Sequence, residues 1–184
     1  MFVMVLFCFR WWIIYPKSQI LIMTFRRITE EDSDDLWNII HTVIKSGDTY
    51  IYSPDSSREK MLDIWFDAHK YSYVCEIGGK VVGTFFMKAN QPDLGSHVVN
   101  AGYMVHPDFR GQGIAEVMCR FSMEEAKRLG FKAMQFNIVI ASNTGAIRLW
   151  QKCGFEIIGT LPKVFQHQTL GLTDALVMYQ WLGD

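Results

Sequence analysis

From Thr24 onward the apolar positions fall into short runs of two alternating kinds, spaced by two residues or by three and four. Phe25 to Ile28 fits a first strand, and Thr29-Glu30-Glu31-Asp32 supplies the cap and first-turn acids of a helix whose apolar face is Leu36, Ile40, Val43 and Ile44. The polar loop Ser46 to Pro54 breaks that period and carries Tyr50 and Tyr52. Ser56 and Glu59 form a capping-box pattern for a second helix through Leu62, Trp65 and Phe66. Gly78-Gly79 separates two strand-like runs, Tyr71 to Ile77 and Lys80 to Lys88, and predicts a hairpin. Val98 to Val105 reads as another strand and Gly113 to Leu129 as a helix stopped by Gly130. Then follow a strand at Ala133 to Ile140, a short helix from Gly145 to Lys152 with Ser142 and Asn143 as caps, and strands at Phe155 to Thr160 and Ala175 to Leu182. This order predicts an α/β (α+β) fold, a central mixed sheet of about six to seven strands with helices on both faces.

The first 22 residues break the pattern, being almost wholly apolar up to Tyr15 with Arg10 as their one charge before Lys17. The run is too short and interrupted to span a bilayer and lacks the charge order and cleavage site of a signal peptide. Residues 1–22 are therefore read as an extension, and residues 23–184 as the functional domain starting at Met23. A net charge of −1 with interspersed signs excludes a nucleic-acid or membrane-surface footprint. Cys8, Cys75, Cys119 and Cys153 sit among apolar residues without paired spacing, as buried thiols of a reducing, cytoplasmic compartment do. Histidines 41, 69, 97, 106 and 167 lack ligand spacing, so no metal is expected.

The chemistry concentrates after the strand ending Tyr103-Met104-Val105-His106-Pro107, in Arg110-Gly111-Gln112-Gly113-Ile114-Ala115. A glycine turn that opens a helix presents successive N–H groups to an anion, and Arg110 adds a formal charge. The alternative is a simple turn in which Gly111 and Gly113 only supply conformations closed to other residues. There is no Gly-Lys-Ser/Thr for a P-loop, and Glu116 stands where a dinucleotide fingerprint needs a small residue.

Arg110, Gly113 and Ala115 match the Arg/Gln-x-x-Gly-x-Gly/Ala signature of the GNAT superfamily of acetyl-CoA-dependent N-acetyltransferases, which the chain resembles from about Phe25 to Leu182. Asn143, Ala146, Leu149, Gly154 and Phe155 match a second family element, with Trp150 where tyrosine is common. Asn90-Gln91-Pro92, Asn100 to Val105 and Met134-Gln135-Phe136-Asn137 look like the group that acetylates proline analogues such as azetidine-2-carboxylate. The resemblance implies the GNAT fold, acetyl-CoA as donor, its pyrophosphate on the amides of Gly111 to Ala115, its pantetheine arm on the backbone of Met104 and Val105, and Asn143 as a cofactor contact. It also implies that Asn100 and Asn137 hold the substrate and serve catalysis, and that the acceptor is a small-molecule amine attacking directly in a ternary complex. A homodimer is one assembly this allows.

The residues themselves leave rivals. Asn100 is also a strand-edge amide that bonds its own surroundings, Asn143 also an N-cap, and Asn137, inside an apolar strand, must meet a ligand or a polar network. The strand from Val98 to Val105 carries no carboxylate, only Asn100 and Tyr103, so a glutamate base there is not expected. Trp150 has no proton to give a departing thiolate as tyrosine has. His97 and His106 lie at strand ends, Glu76 reads as a solvated charge and Glu116 as a dipole partner; Tyr50 and Tyr52 are placed at the acceptor. The alternatives are a non-catalytic acyl-CoA sensor and a protein or peptide N-acetyltransferase.

Overall fold

In a computed structural model that describes residues 9–14 and 20–183, the strands are β1 (Phe9–Ile14), β2 (Ile20–Arg27), β3 (Tyr71–Ile77), β4 (Lys80–Ala89), β5 (Val98–Val105), β6 (Ala133–Ile140), β7 (Glu156–His167) and β8 (Gly171–Trp181). The helices are α1 (Ser33–Ile44), α2 (Arg58–Phe66), α3 (Ile114–Arg128) and α4 (Thr144–Lys152). All eight strands join one sheet in the order β1-β2-β3-β4-β5-β6-β8-β7. The eighth strand, beyond the six to seven expected, comes from the apolar segment 1–22: β1 pairs antiparallel with β2, and β2 itself begins at Ile20. The rest of that segment, residues 1–8 and 15–19, lies outside the described residues, Cys8 among them. No helix among the described residues is long and apolar enough to cross a membrane.

Two apolar layers hold the helices to the sheet. On one face Leu36, Ile39, Ile40, Val43 and Ile44 of α1, with Met61 and Trp65 of α2, pack on Val74, Phe86 and Met104. Each such aliphatic burial is worth on the order of 1.5–3 kcal/mol. On the other face α3 brings Val117, Met118 and Phe121 against Phe25, Tyr73, Phe85, Met134 and Phe136. Phe121 stacks on Phe25 with ring centroids 4.2 Å apart.

Local signals worked with small shifts. The Asp32 carboxylate accepts from the Thr29 N–H (2.7 Å) and closes the turn that leads into α1. The cap of α2 is Ser57, one residue later than the expected Ser56, and its hydroxyl accepts from Lys60 N–H. The final hairpin is longer than predicted, because β7 runs through Pro162 and Lys163 by way of a bulge between Leu161 and Phe165. At that break Lys163 takes φ 53°, and its N–H turns to the Asp174 carboxylate.

The feature that positions the site is the one parallel pairing among the described strands. β5 and β6 share only three register pairs, Val98 with Ala133, Val99 with Met134 and Asn100 with Gln135, and then diverge. The sheet is split from Ala101 onward, while β5 stays paired to β4 as far as Val105 and β6 to β8 as far as Ile140 across a break between Phe136 and Val139.

Candidate active site

The split opens into a cleft of about 680 Å³ lined by β5, β6, the loop after α1 and the first turns of α3 and α4. Asn90 N–H donates to Val98 O (2.8 Å) and His106 N–H to Val82 O (2.9 Å), so even-numbered residues of β5 face β4. By the two-residue alternation of a ladder, Ala101, Tyr103 and Val105 turn their N–H and C=O groups to the split side. The backbone of Met104, expected on the cofactor side, is instead spent on β4, while those of Tyr103 and Val105 face the split. Both Met104 and Val105 line the cleft.

Beyond β5, the turn Arg110 to Gly113 delivers α3. Gly111 and Gly113 both hold φ near +74° (74° and 73°) with Gln112 between them, a backbone concavity that L residues adopt only under strain. The N–H of Arg110 closes on Pro107 O, but those of Gly111, Gln112, Gly113, Ile114 and Ala115 have no acceptor among the described residues. Five consecutive free amides at the positive end of a 15-residue helix are a strong anion site. A second, smaller cavity of about 270 Å³ runs along them, lined by Gly111, Gly113, Ile114, Ala115 and Glu116, and Arg110 is common to both cavities. The Gln112 side chain reaches neither, and Ile114 puts its side chain into the core. Glu116 is tied to Lys152 (2.6 Å) and Arg120 (3.1 Å), which hold its carboxyl below the usual range, rather than acting through the helix dipole alone.

Opposite, Asn143 caps α4 by accepting from Ala146 N–H (3.1 Å) while lining the cleft, so capping leaves its amide nitrogen for a ligand. Trp150 packs its ring between Tyr103 (5.1 Å) and Phe136 (5.0 Å) in the cleft wall.

The acceptor candidates gather on the α1/α2 face. Asn100 Nδ2 donates to Gln135 O (2.9 Å) at the last step of the β5/β6 ladder, so it both lines the cleft and seals its vertex. Asn137 lies in a chain in which its Oδ1 accepts from Gln135 Nε2 (2.8 Å) and its Nδ2 donates to Asn90 Oδ1 (2.7 Å). The polar network expected for a buried amide is present, and Asn137 still lines the cleft. Tyr50 donates from its hydroxyl to Tyr103 O (2.8 Å), stacks on Tyr52 (5.9 Å) and is pushed far above the ordinary phenol range by burial. Gly102 makes room for it, since a Cβ there would meet the Tyr50 oxygen and the Phe86 ring at 3.1 Å.

Other candidates fall outside. His97 bonds Leu94 O; His106 accepts from Asp108 N–H as a cap. Glu76 is no solvated charge, because Arg26 holds it at 2.9 Å. Tyr103 aims its hydroxyl at Ser122 in the core. Sequence reasoning missed Thr49, Lys70, Lys88 and Phe136, which line the cleft through contacts between distant segments.

Fold and site define an α/β protein whose sheet splits around a cleft that ends at a row of free helix N-terminal amides. Residues 37–155 match the Acetyltransferase (GNAT) family, and the chain belongs to that family. A GCN5-related N-acetyltransferase from Kribbella flavida is 32% identical with a TM-score of 0.81 over 86% of this chain and 97% of that one. A phosphinothricin acetyltransferase from Sinorhizobium meliloti, solved in complex with AcCoA, shares the fold at 20% identity, TM-score 0.77, over 88% of this chain and 89% of its own. The N-acetyltransferase aca1 of Schizosaccharomyces pombe is 37% identical over 81 residues, 44% of this chain and 39% of its own. The chain spans 13% to 60% of the length of the curated relatives it matches.

Proposed function

We propose that the protein is an acetyl-CoA-dependent N-acetyltransferase that acts on a small-molecule amine, with proline-like amino acids as the first candidates, by direct attack in a ternary complex. The observation that carries the donor half is the run of five free amides from Gly111 to Ala115 beside the unpaired edge of β5. Those residues, with Arg110, fit a pyrophosphate, while Tyr103 and Val105 offer strand-like hydrogen bonds to a pantetheine arm. Bound there, acetyl-CoA supplies the acyl thioester.

The chain's own groups bind and orient the acceptor. Asn100, Asn137 and Tyr50 are fixed by their bonds to Gln135, Asn90 and Tyr103, so they meet an acceptor without losing further side-chain freedom. No Asp, Glu or His lines the cleft among the described residues, so the acceptor's ammonium proton is lost to solvent before the amine attacks. The same gap, with Trp150 in place of tyrosine, is compatible with a non-catalytic acyl-CoA sensor. The reading takes the enzyme to be cytoplasmic, in keeping with the free thiols of Cys75, Cys119 and Cys153, and allows a homodimer.

Purified protein incubated with acetyl-CoA and a panel of amines is expected to release coenzyme A thiol with at least one small amine. Tight acetyl-CoA binding with no thiol release from any amine would turn the reading into that of a sensor. Release with peptides only would point to protein substrates.

A further inference from the structure

The charges of the cleft are lopsided. Arg110, Lys70 and Lys88 line it, and no carboxylate among the described lining residues balances them. Arg110 stands beside the free amides, beyond the end of β5. Lys88 stands at the other end, opposite Asn100 in the β4/β5 register, about 17 Å along the strand from Val105 at 3.3–3.4 Å per residue. One cation is therefore at the donor end and two are at the acceptor end.

Lys88 is exposed, its side chain has neither a hydrogen bond nor an ion pair among the described residues, and as the partner of Asn100 it leaves the sheet on the same face. Lys70 is 8% exposed. Its ammonium donates to Ile64 O (2.6 Å) and sits 4.7 Å from the Phe86 ring centroid, with no carboxylate in contact. The nearby Asp67 is exposed, accepts from His69 N–H (2.9 Å) and does not line the cleft. Burial lowers the proton affinity of Lys70, the exposed Asp67 carboxylate offsets part of this from outside the cleft, and the neighbouring Lys88 lowers it further. A lysine capping an aromatic ring and a lysine at a strand end are ordinary structural features taken singly. Here they face one cleft, beside the amides of Asn100 and Asn137, and Thr49 adds a buried hydroxyl without any partner to the same lining.

We propose that Lys88, with Lys70 behind it, is the specificity group of the acceptor site and holds the carboxylate of an amino-acid-class amine. The inference rests on the N-acetyltransferase reading and adds the charge by which the acceptor is chosen. A bound carboxylate meets the excess positive potential, and its charge-assisted bond to Lys88 orients the amine toward the split between β5 and β6.

The test uses matched pairs: azetidine-2-carboxylic acid, proline and a set of α-amino acids, each against its carboxamide, with thiol release giving kcat/KM for the full-length protein. The carboxamide carries the less basic amine, so at one pH it offers more of the neutral nucleophile, and a preference for the acid cannot come from amine ionisation. The wild type is expected to prefer the acids. In Lys88→Gln that preference should shrink about tenfold or more through KM of the acids, with KM of the carboxamides changing far less. Lys88→Glu should invert it. Equal use of acid and carboxamide by the wild type, or an unchanged ratio in Lys88→Gln, overturns the inference while leaving acetyl transfer intact. Thiol release from neither member of any pair, with acetyl-CoA still bound, instead overturns the small-amine reading itself.

Discussion

At the scale of single residues, the polar groups divide into those whose bonds hold the fold and those whose bonds aim a side chain into the cleft. Asn137 belongs to both. In Asn137→Ala, Asn90 Oδ1 and Gln135 Nε2 lose their partner next to an open cleft where water replaces it, so stability should fall by about 1 kcal/mol while kcat/KM falls tenfold or more. A drop in activity matched by an equal loss of folded protein would make Asn137 structural only. Asp32 is purely structural. Burial disfavours its charge, yet bonds from Arg26 and Thr29 more than offset this and leave its pKa below the ordinary 3.8. A depressed carboxylate contributes stability above its unfolded value and loses it as the pH falls through the folded one. The stability gap between wild type and Asp32→Asn should therefore shrink on acidification below about 4; pH-dependent thermal melts check it, and a gap constant down to pH 2 would contradict the assignment. The residue types at the site were legible: an amide in an apolar strand and glycines at a helix start are local anomalies. Lys70 and Lys88 were not, because nothing in their own neighbourhoods separates a cleft lysine from a solvated one.

Among elements, α3 and its leading turn were the most legible, since glycine, apolar spacing and terminal basic residues all act within one segment. Gly113→Ala is expected to strain the backbone by about 1 kcal/mol and to swing the first-turn amides, lowering acetyl-CoA affinity by more than its effect on stability accounts for. Calorimetric titration measures it, and unchanged affinity would remove the amides from the donor site. The strand β7 was the least legible. At the outer edge of the sheet it is exposed over most of its length, and Pro162 with the Lys163 bulge interrupts its alternation and hides its second half. Strand β5 lies between these: its existence was readable, but which of its residues turn their backbone to the cleft depends on the partner, so Met104 was expected there although its backbone faces β4.

For the whole molecule, the class of fold followed from the alternation of periods, whereas the strand order, the eighth strand and the three-pair junction of β5 with β6 depend on long-range pairing that no local pattern encodes. That junction divides the sheet into a five-strand part and a three-strand part, joined along the ladder by three register pairs and the Asn100–Gln135 contact, above one apolar core that both share. Such a seam, with few ladder bonds above a shared core, is where the sheet opens locally most readily. A ligand lying along both unpaired edges acts as the missing strand and couples them. Amide hydrogen exchange should show β5 and β6 opening more readily than β3 and β4 in the free protein, and acetyl-CoA should slow both flanks of the seam together; protection confined to the first turn of α3 would show that the halves stay independent. The cleft is thus also the line along which the sheet is least knitted by its own backbone, so that an occupant adds to the shared core in setting how cooperatively the two flanks open.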